Sequence, residues 1–93
     1  METGQKVLIR SHQSGVWMGR VVSVGDTSVT LRARRLWQWK GALDCSVLAV
    51  QGPGEGSRIS PKTTVELPMA GIVETHATTK VARAKLREIE VAL

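Results

Sequence analysis

The chain has 93 residues, 42% of them apolar and 23% charged, and a formal net charge of +5. That size holds one domain and argues against a deep enzymatic cleft, while the balance of apolar and charged residues excludes a disordered chain. Its apolar runs are far shorter than the ~20 residues that span a bilayer, and the N-terminal METGQK has no stretch of signal-peptide type, so a cytosolic protein without membrane contact is expected.

KVLIR (6–10) and VWMGRVVSV (16–24) are rich in β-formers and are separated by SHQSG, a loop of the kind that closes a hairpin. A second turn at Gly25 and Asp26, with Gly25 free to take a positive φ, leads into TSVTLRAR and completes an antiparallel meander. Period-two alternation on the third strand puts Val29, Leu31, Ala33, Arg35, Trp37 and Trp39 on one face, which reads as core with Arg35 as its exception. Ser28, Thr30, Arg32, Arg34, Leu36 and Gln38 fall on the other. ALDCSVLAV (42–50) is too short for periodicity to separate a helix from a buried strand, and a helix is preferred.

QGPGEGSRISPK (51–62) is a loop containing a short extended SRIS piece, and its glycines and prolines mark it as the most mobile part of the chain. In TTVELPMAGIVETH (63–76), Pro68 and Gly71 interrupt a β-type run, giving an edge strand or two short strands joined at a bend. From Thr78 the period becomes helical. Ala82, Leu86, Ile89 and Leu93 form an apolar stripe, Lys80, Arg83 and Arg87 lie opposite, and Thr78 is the expected N-cap. The fold class is therefore α+β: a small antiparallel sheet, open or barrel-like, with a C-terminal helix and a short middle helix.

The charge is uneven. Residues 1–40 carry seven basic side chains against Glu2 and Asp26, while residues 41–93 carry six of each sign, so the net +5 sits in the first 40 residues and favours anionic partners. No phosphate-binding loop, CxxC, HExxH or GxSxG is present. His12 and His76 lie far apart with no cysteine close to either, Glu88 and Glu90 read as solvated charges, and Cys45 reads as a small buried hydrophobe. The expectation is a binding protein with neither catalytic residues, metal nor cofactor.

RARRLWQWKG (32–41) concentrates three arginines, a lysine and two of the three tryptophans. Guanidinium and indole planes stack on bases while Arg and Lys bind phosphate. Equally, two Trp on an apolar strand face are the natural core of a small domain. The ligand reading assigns Arg32, Arg34, Arg35 and Lys40 to phosphates, Trp37 or Trp39 to a base, and Arg58 to the loop that closes over them.

ARRLWQWKGA, followed about fifteen residues later by RISP and then VELPMAGIVETHATTKVARAKL, resembles a family of small tailed-phage proteins of unknown function over roughly residues 6–87. In that family the middle segment is longer and reads as a helix; here it is abbreviated. The resemblance implies phage origin, production in a bacterial host cytoplasm and a non-enzymatic role. By analogy of size, charge and implied origin, the leading expectation is a homo-oligomeric sponge for a nucleotide-type immune signal, its pocket shared between protomers. The alternatives are a nucleic-acid-binding protein, an inhibitor of a host protein and a minor virion component.

Overall fold

The computed structural model describes residues 1–89 and Val91; Glu90 and Leu93 of the sequence reading lie outside the described residues. Strands β1 (Lys6–Ser11), β2 (Gly15–Val24) and β3 (Ser28–Gln38) form the antiparallel meander. The helix α1 (Cys45–Gln51), the strands β4 (Arg58–Ile59), β5 (Thr63–Pro68) and β6 (Ile72–Ala77), and the helix α2 (Lys80–Glu88) follow, with a 3-10 turn at Met69–Gly71 between β5 and β6. The class is α+β, as expected.

The six strands run β4-β3-β2-β1-β6, with β5 also paired to β3. Long β3 is the spine: β2 lies along one edge, while the other is shared by β5 at Ser28–Ala33 and β4 at Leu36–Gln38. The VELPMAGIVETH run is thus two short strands on opposite edges of the sheet. The sheet is not a closed barrel, since β5 and β6 pair with β3 and β1 and not with each other.

Both faces of the sheet are apolar, which departs from the one-core-face expectation. Val7, Leu8 and Ile9 are all fully buried, and such an uninterrupted run belongs to a strand covered on two sides. On one side Leu8, Val16, Met18, Leu36 and Ile59 pack beneath Cys45, Leu48, Ala49 and Leu86 of the two helices. On the other, Val7, Ile9, Trp17, Val21, Val29, Leu31, Ala33 and Leu67 form a cluster without helices, flanked by Val65, Met69 and Ile72. Burying a side chain of this size stabilises the fold by about 1.5–3 kcal/mol.

The helix caps are local. Asp44 accepts from the Val47 amide at 3.0 Å and from the Ser46 hydroxyl at 2.6 Å, and these bonds hold its carboxyl below the usual range. At α2 the cap is Thr79, not Thr78: the Thr79 hydroxyl accepts from the Ala82 amide and donates to the Val50 carbonyl, tying the helices together. Ala82 and Leu86 are buried and Ile89 packs alongside, so the expected stripe is docked over its described positions. Positive φ falls on Gly15 rather than Gly25.

The 51–62 segment is less free than its composition implies. The Lys40 amide donates to the Ser57 hydroxyl, which donates to the Gly54 carbonyl, while the Gly54 amide donates to the Lys40 carbonyl. Ser60 then extends the ladder: its amide donates to the Arg35 carbonyl and its hydroxyl accepts from the Arg35 amide at 2.7 Å.

Candidate functional site

Ladder register assembles the basic residues. Lys6 pairs with Arg20, Arg20 with Arg32, and Arg32 with Thr64, so three cations stand side by side across β1, β2 and β3. Paired residues of antiparallel strands point to one side, here the helix side, one row along from Leu8, Met18 and Arg34. Like charges directly opposed in a sheet repel. Among the described residues the Arg10–Glu74 ion pair, whose carboxylate also accepts from His76 Nε2, lies outside this row.

Helix α2 supplies a second wall. Arg83 and Arg87, one turn apart, line the same cleft as the row, together with Arg34, Lys62, Thr78 and Leu86. The cleft encloses about 280 Å³, and among the described residues its lining holds seven basic side chains and no acidic one. Arg83 is oriented by bonds from Nη1 to the carbonyl and hydroxyl of Thr78, and Arg32 donates to the Thr64 hydroxyl at 3.2 Å. Gly19 lies in the lining because β2 and β3 approach closely there: a Cβ would sit 2.3 Å from the Arg32 carbonyl oxygen and 2.5 Å from the Ala33 Cα.

Arg34 forms the inner edge and is only 9% exposed. Nε donates to the Ser60 carbonyl at 2.8 Å, Nη1 to the Leu86 carbonyl at 2.7 Å and Nη2 to the Ile89 carbonyl at 3.2 Å. Burial lowers its pKa, but a guanidinium starts so high that it stays charged at physiological pH. With carbonyls as its partners, Arg34 keeps its full positive charge beside the cleft.

The seven residues expected to form one site are dispersed. Arg32 and Arg34 line the cleft. Arg35 sits on the opposite face, its guanidinium 5.9 Å from the centre of the Trp17 ring in the directly paired position of β2. Trp37 is 48% exposed, at a register shift between Leu36 and Gln38 that breaks the alternation; Trp39, beyond the strand end, packs against the helix-side core. The core tryptophan of the strands is Trp17, whose indole donates to the Ser14 carbonyl. Lys40 and Arg58 are exposed: the Lys40 backbone anchors the 53–57 loop, and Arg58 pairs with Gln38 in β4 rather than standing in a free flap.

Lys6, Arg20, Lys62, Arg83 and Arg87 were not singled out by the sequence reading, although part of the signal was present. Reflecting the chain about the centres of its two hairpin loops, residues 13 and 26, carries Lys6 onto Arg20 and Arg20 onto Arg32. Nothing comparable links α2 to the sheet.

A small α+β domain carrying a basic cleft between sheet and C-terminal helix is the class that fold and site define. Residues 4–86 match the model of a family described as a domain of unknown function, DUF6948, and the chain belongs to that family. No curated protein and no solved structure matches it.

Proposed function

We propose that this protein captures an anionic ligand of nucleotide type in the cleft between the sheet and α2, and does not transform it. The observation that carries the reading is the lining: among the described residues seven cations, no carboxylate, and a cross-strand row whose self-repulsion a bound anion would relieve. A terminal phosphate brings about −1.5 to −2 charges at neutral pH, so a short phosphate chain concentrates the counter-charge in a compact volume. On this reading the chain is a phage accessory protein acting in the cytoplasm of a bacterial host. Its small size, its basic charge and the tailed-phage resemblance support the role of a homo-oligomeric sponge for an immune signal.

Binding of nucleic acid is the second reading, favoured by the exposure of Lys6, Arg20, Arg32 and Lys62. Calorimetric titration with a nucleoside triphosphate and with a single-stranded oligonucleotide at rising salt separates the two. Affinity for a polymer falls steeply, by a log–log slope of about −0.7 per phosphate contacted on a single strand, whereas a cleft holding one short phosphate chain loses less. Arg20→Ala with Arg32→Ala is expected to abolish triphosphate binding while leaving the melting temperature unchanged or raised. Wild-type affinity in that double variant would move the site elsewhere. Native mass spectrometry of protein purified from its host reads subunit number and retained anion together.

A further inference from the structure

Resting on that reading, we propose that the cleft recognises a chain of two or more phosphates by those phosphates alone and is blind to the base attached to them. Lysine and arginine side chains donate and never accept, and they supply seven of the eleven described lining residues. Of the acceptors at the walls, the carbonyl and hydroxyl of Thr78 take bonds from Arg83, and the Leu86 carbonyl takes them from Arg34 and from the Ile89 amide.

Every nucleobase presents donors as well as acceptors on its edges; reading the amino groups of adenine or cytosine needs an acceptor, whereas guanine O6 and N7 can be read by arginine donors. Among the described residues no Asp, Glu, Asn, Gln, His or Trp lines the cleft, and the arginines that could bond guanine or stack on a ring are the same groups that the phosphates, as full anions, engage in the stronger charge-assisted bonds. A deprotonated phosphate chain is the converse, a set of oxygens that only accept. About 280 Å³ is also at or below the lower end of the range for pockets that enclose a whole drug-sized ligand, so the cleft encloses the charged end and leaves the base outside.

The two walls set the minimum chain length. Lys6, Arg20 and Arg32 stand at neighbouring-strand spacing, about 4.8 Å apart, and Arg83 and Arg87 at one helical turn, about 5–6 Å apart. A single phosphate cannot satisfy both groups, whereas consecutive phosphates can each face a different wall.

The test is calorimetric titration of the wild-type protein with inorganic tripolyphosphate, ATP, GTP, CTP, UTP, orthophosphate, adenosine and a single-stranded oligonucleotide. Tripolyphosphate and the four triphosphates should agree within about threefold, orthophosphate should be weaker by about tenfold or more, and adenosine should give no heat. Differences of about tenfold or more among the four triphosphates, or a triphosphate that binds where tripolyphosphate does not, would show that the base is read; this overturns the inference and leaves the cleft as the site. Tighter binding of the oligonucleotide than of tripolyphosphate at physiological salt overturns it in favour of a nucleic-acid backbone. If no anion binds, or if binding survives Arg20→Ala with Arg32→Ala, the functional reading of the cleft falls with it.

Discussion

The Arg34 guanidinium donates from Nη1 to the Leu86 carbonyl at 2.7 Å, so the strand β3 closes the last turn of α2. The last carbonyls of a helix lack partners within it, and this arginine serves both Leu86 and Ile89 while its Nε holds Ser60 in the neighbouring segment. One side chain thereby ties helix, sheet and linker at the edge of the cleft.

Arg34→Ala should therefore destabilise the fold by about 3 kcal/mol or more, because hydrogen bonds from a charged group contribute about 1.5–3 kcal/mol each and their loss takes the side-chain donor from the Ser60 and Ile89 carbonyls and leaves Leu86 only the bond from the Ile89 amide. For a domain of this size that lowers the melting temperature by roughly 12 °C or more. Arg34→Lys should recover only part of the loss, since an ammonium cannot reproduce the planar fork that reaches three carbonyls. Thermal melts of both variants decide the matter; an unperturbed Arg34→Ala melt would mean that the three bonds contribute nothing net.

Arg35 has a different role from its neighbour. Alternation placed it on an apolar face, where either a carboxylate such as Glu66 or Glu74 or a bound anion would have to accompany it. Neither carboxylate pairs with it: Glu74 is taken by Arg10 and His76. Its guanidinium instead lies over Trp17 and beside Gly15, whose φ of +85° and missing Cβ leave the room; a Cβ there would come within 2.9 Å of Arg35 Nε. Arg35→Met should cost only about 0.5–1 kcal/mol, the contribution of a partly exposed cation–π contact, and should leave triphosphate affinity unchanged. A loss of about 3–5 kcal/mol would instead mean that a buried carboxylate had been stranded.

Docking of α2 rests on Leu86, which packs into the core between the sheet and α1, and on Ala82, fully buried against Gly52 at the end of α1. Leu86→Ala should cost about 2–5 kcal/mol, transfer and cavity terms together. Because Arg83 and Arg87 form one wall of the cleft, the same substitution should weaken anion binding even at temperatures where the protein stays folded. Denaturant titration and calorimetry on the one variant test both halves; unchanged stability would mean that the helix is not docked.

The meander, the docked C-terminal helix and the interrupted β5–β6 run were legible because they depend on local signals: turn residues, a change of period, and a proline with a glycine. The second apolar face was missed because alternation on β3 was read as one buried and one wet side, although the unbroken Val7-Leu8-Ile9 run already called for burial on both. Trp37 and Trp39 were misplaced for another reason. A register shift at Trp37 and the end of the strand before Trp39 cancel the alternation that put them together. Of the site, only Arg32 and Arg34 were foreseen. Charge counted along the chain pointed to residues 1–40, whereas the folded cleft also draws Lys62, Arg83 and Arg87 from the electrically balanced half. A change of period announces an amphipathic helix, but which row of the sheet its basic side chains come to face is a long-range contact that no local pattern announces.

Glu74 makes stability depend on pH. Its carboxylate accepts from His76 Nε2 at 2.7 Å and from Arg10 Nη1 at 3.1 Å, and these bonds, His76 foremost, hold its pKa below the ordinary value, with Cys45 and Asp44 the other titratable groups nearby. A carboxyl whose folded pKa is depressed contributes stability that is present in full above its unfolded pKa of about 4.3 and disappears as pH falls through the folded value. Glu74→Gln keeps the shape and removes the charge. The variant should therefore be less stable than the wild type at neutral pH, and the gap should narrow below about pH 4.3 and close at more acidic pH. Denaturant midpoints for both proteins between about pH 3 and pH 7 give the comparison. A gap that stays constant across that range would show that Glu74 acts through packing and neutral hydrogen bonds rather than through its charge.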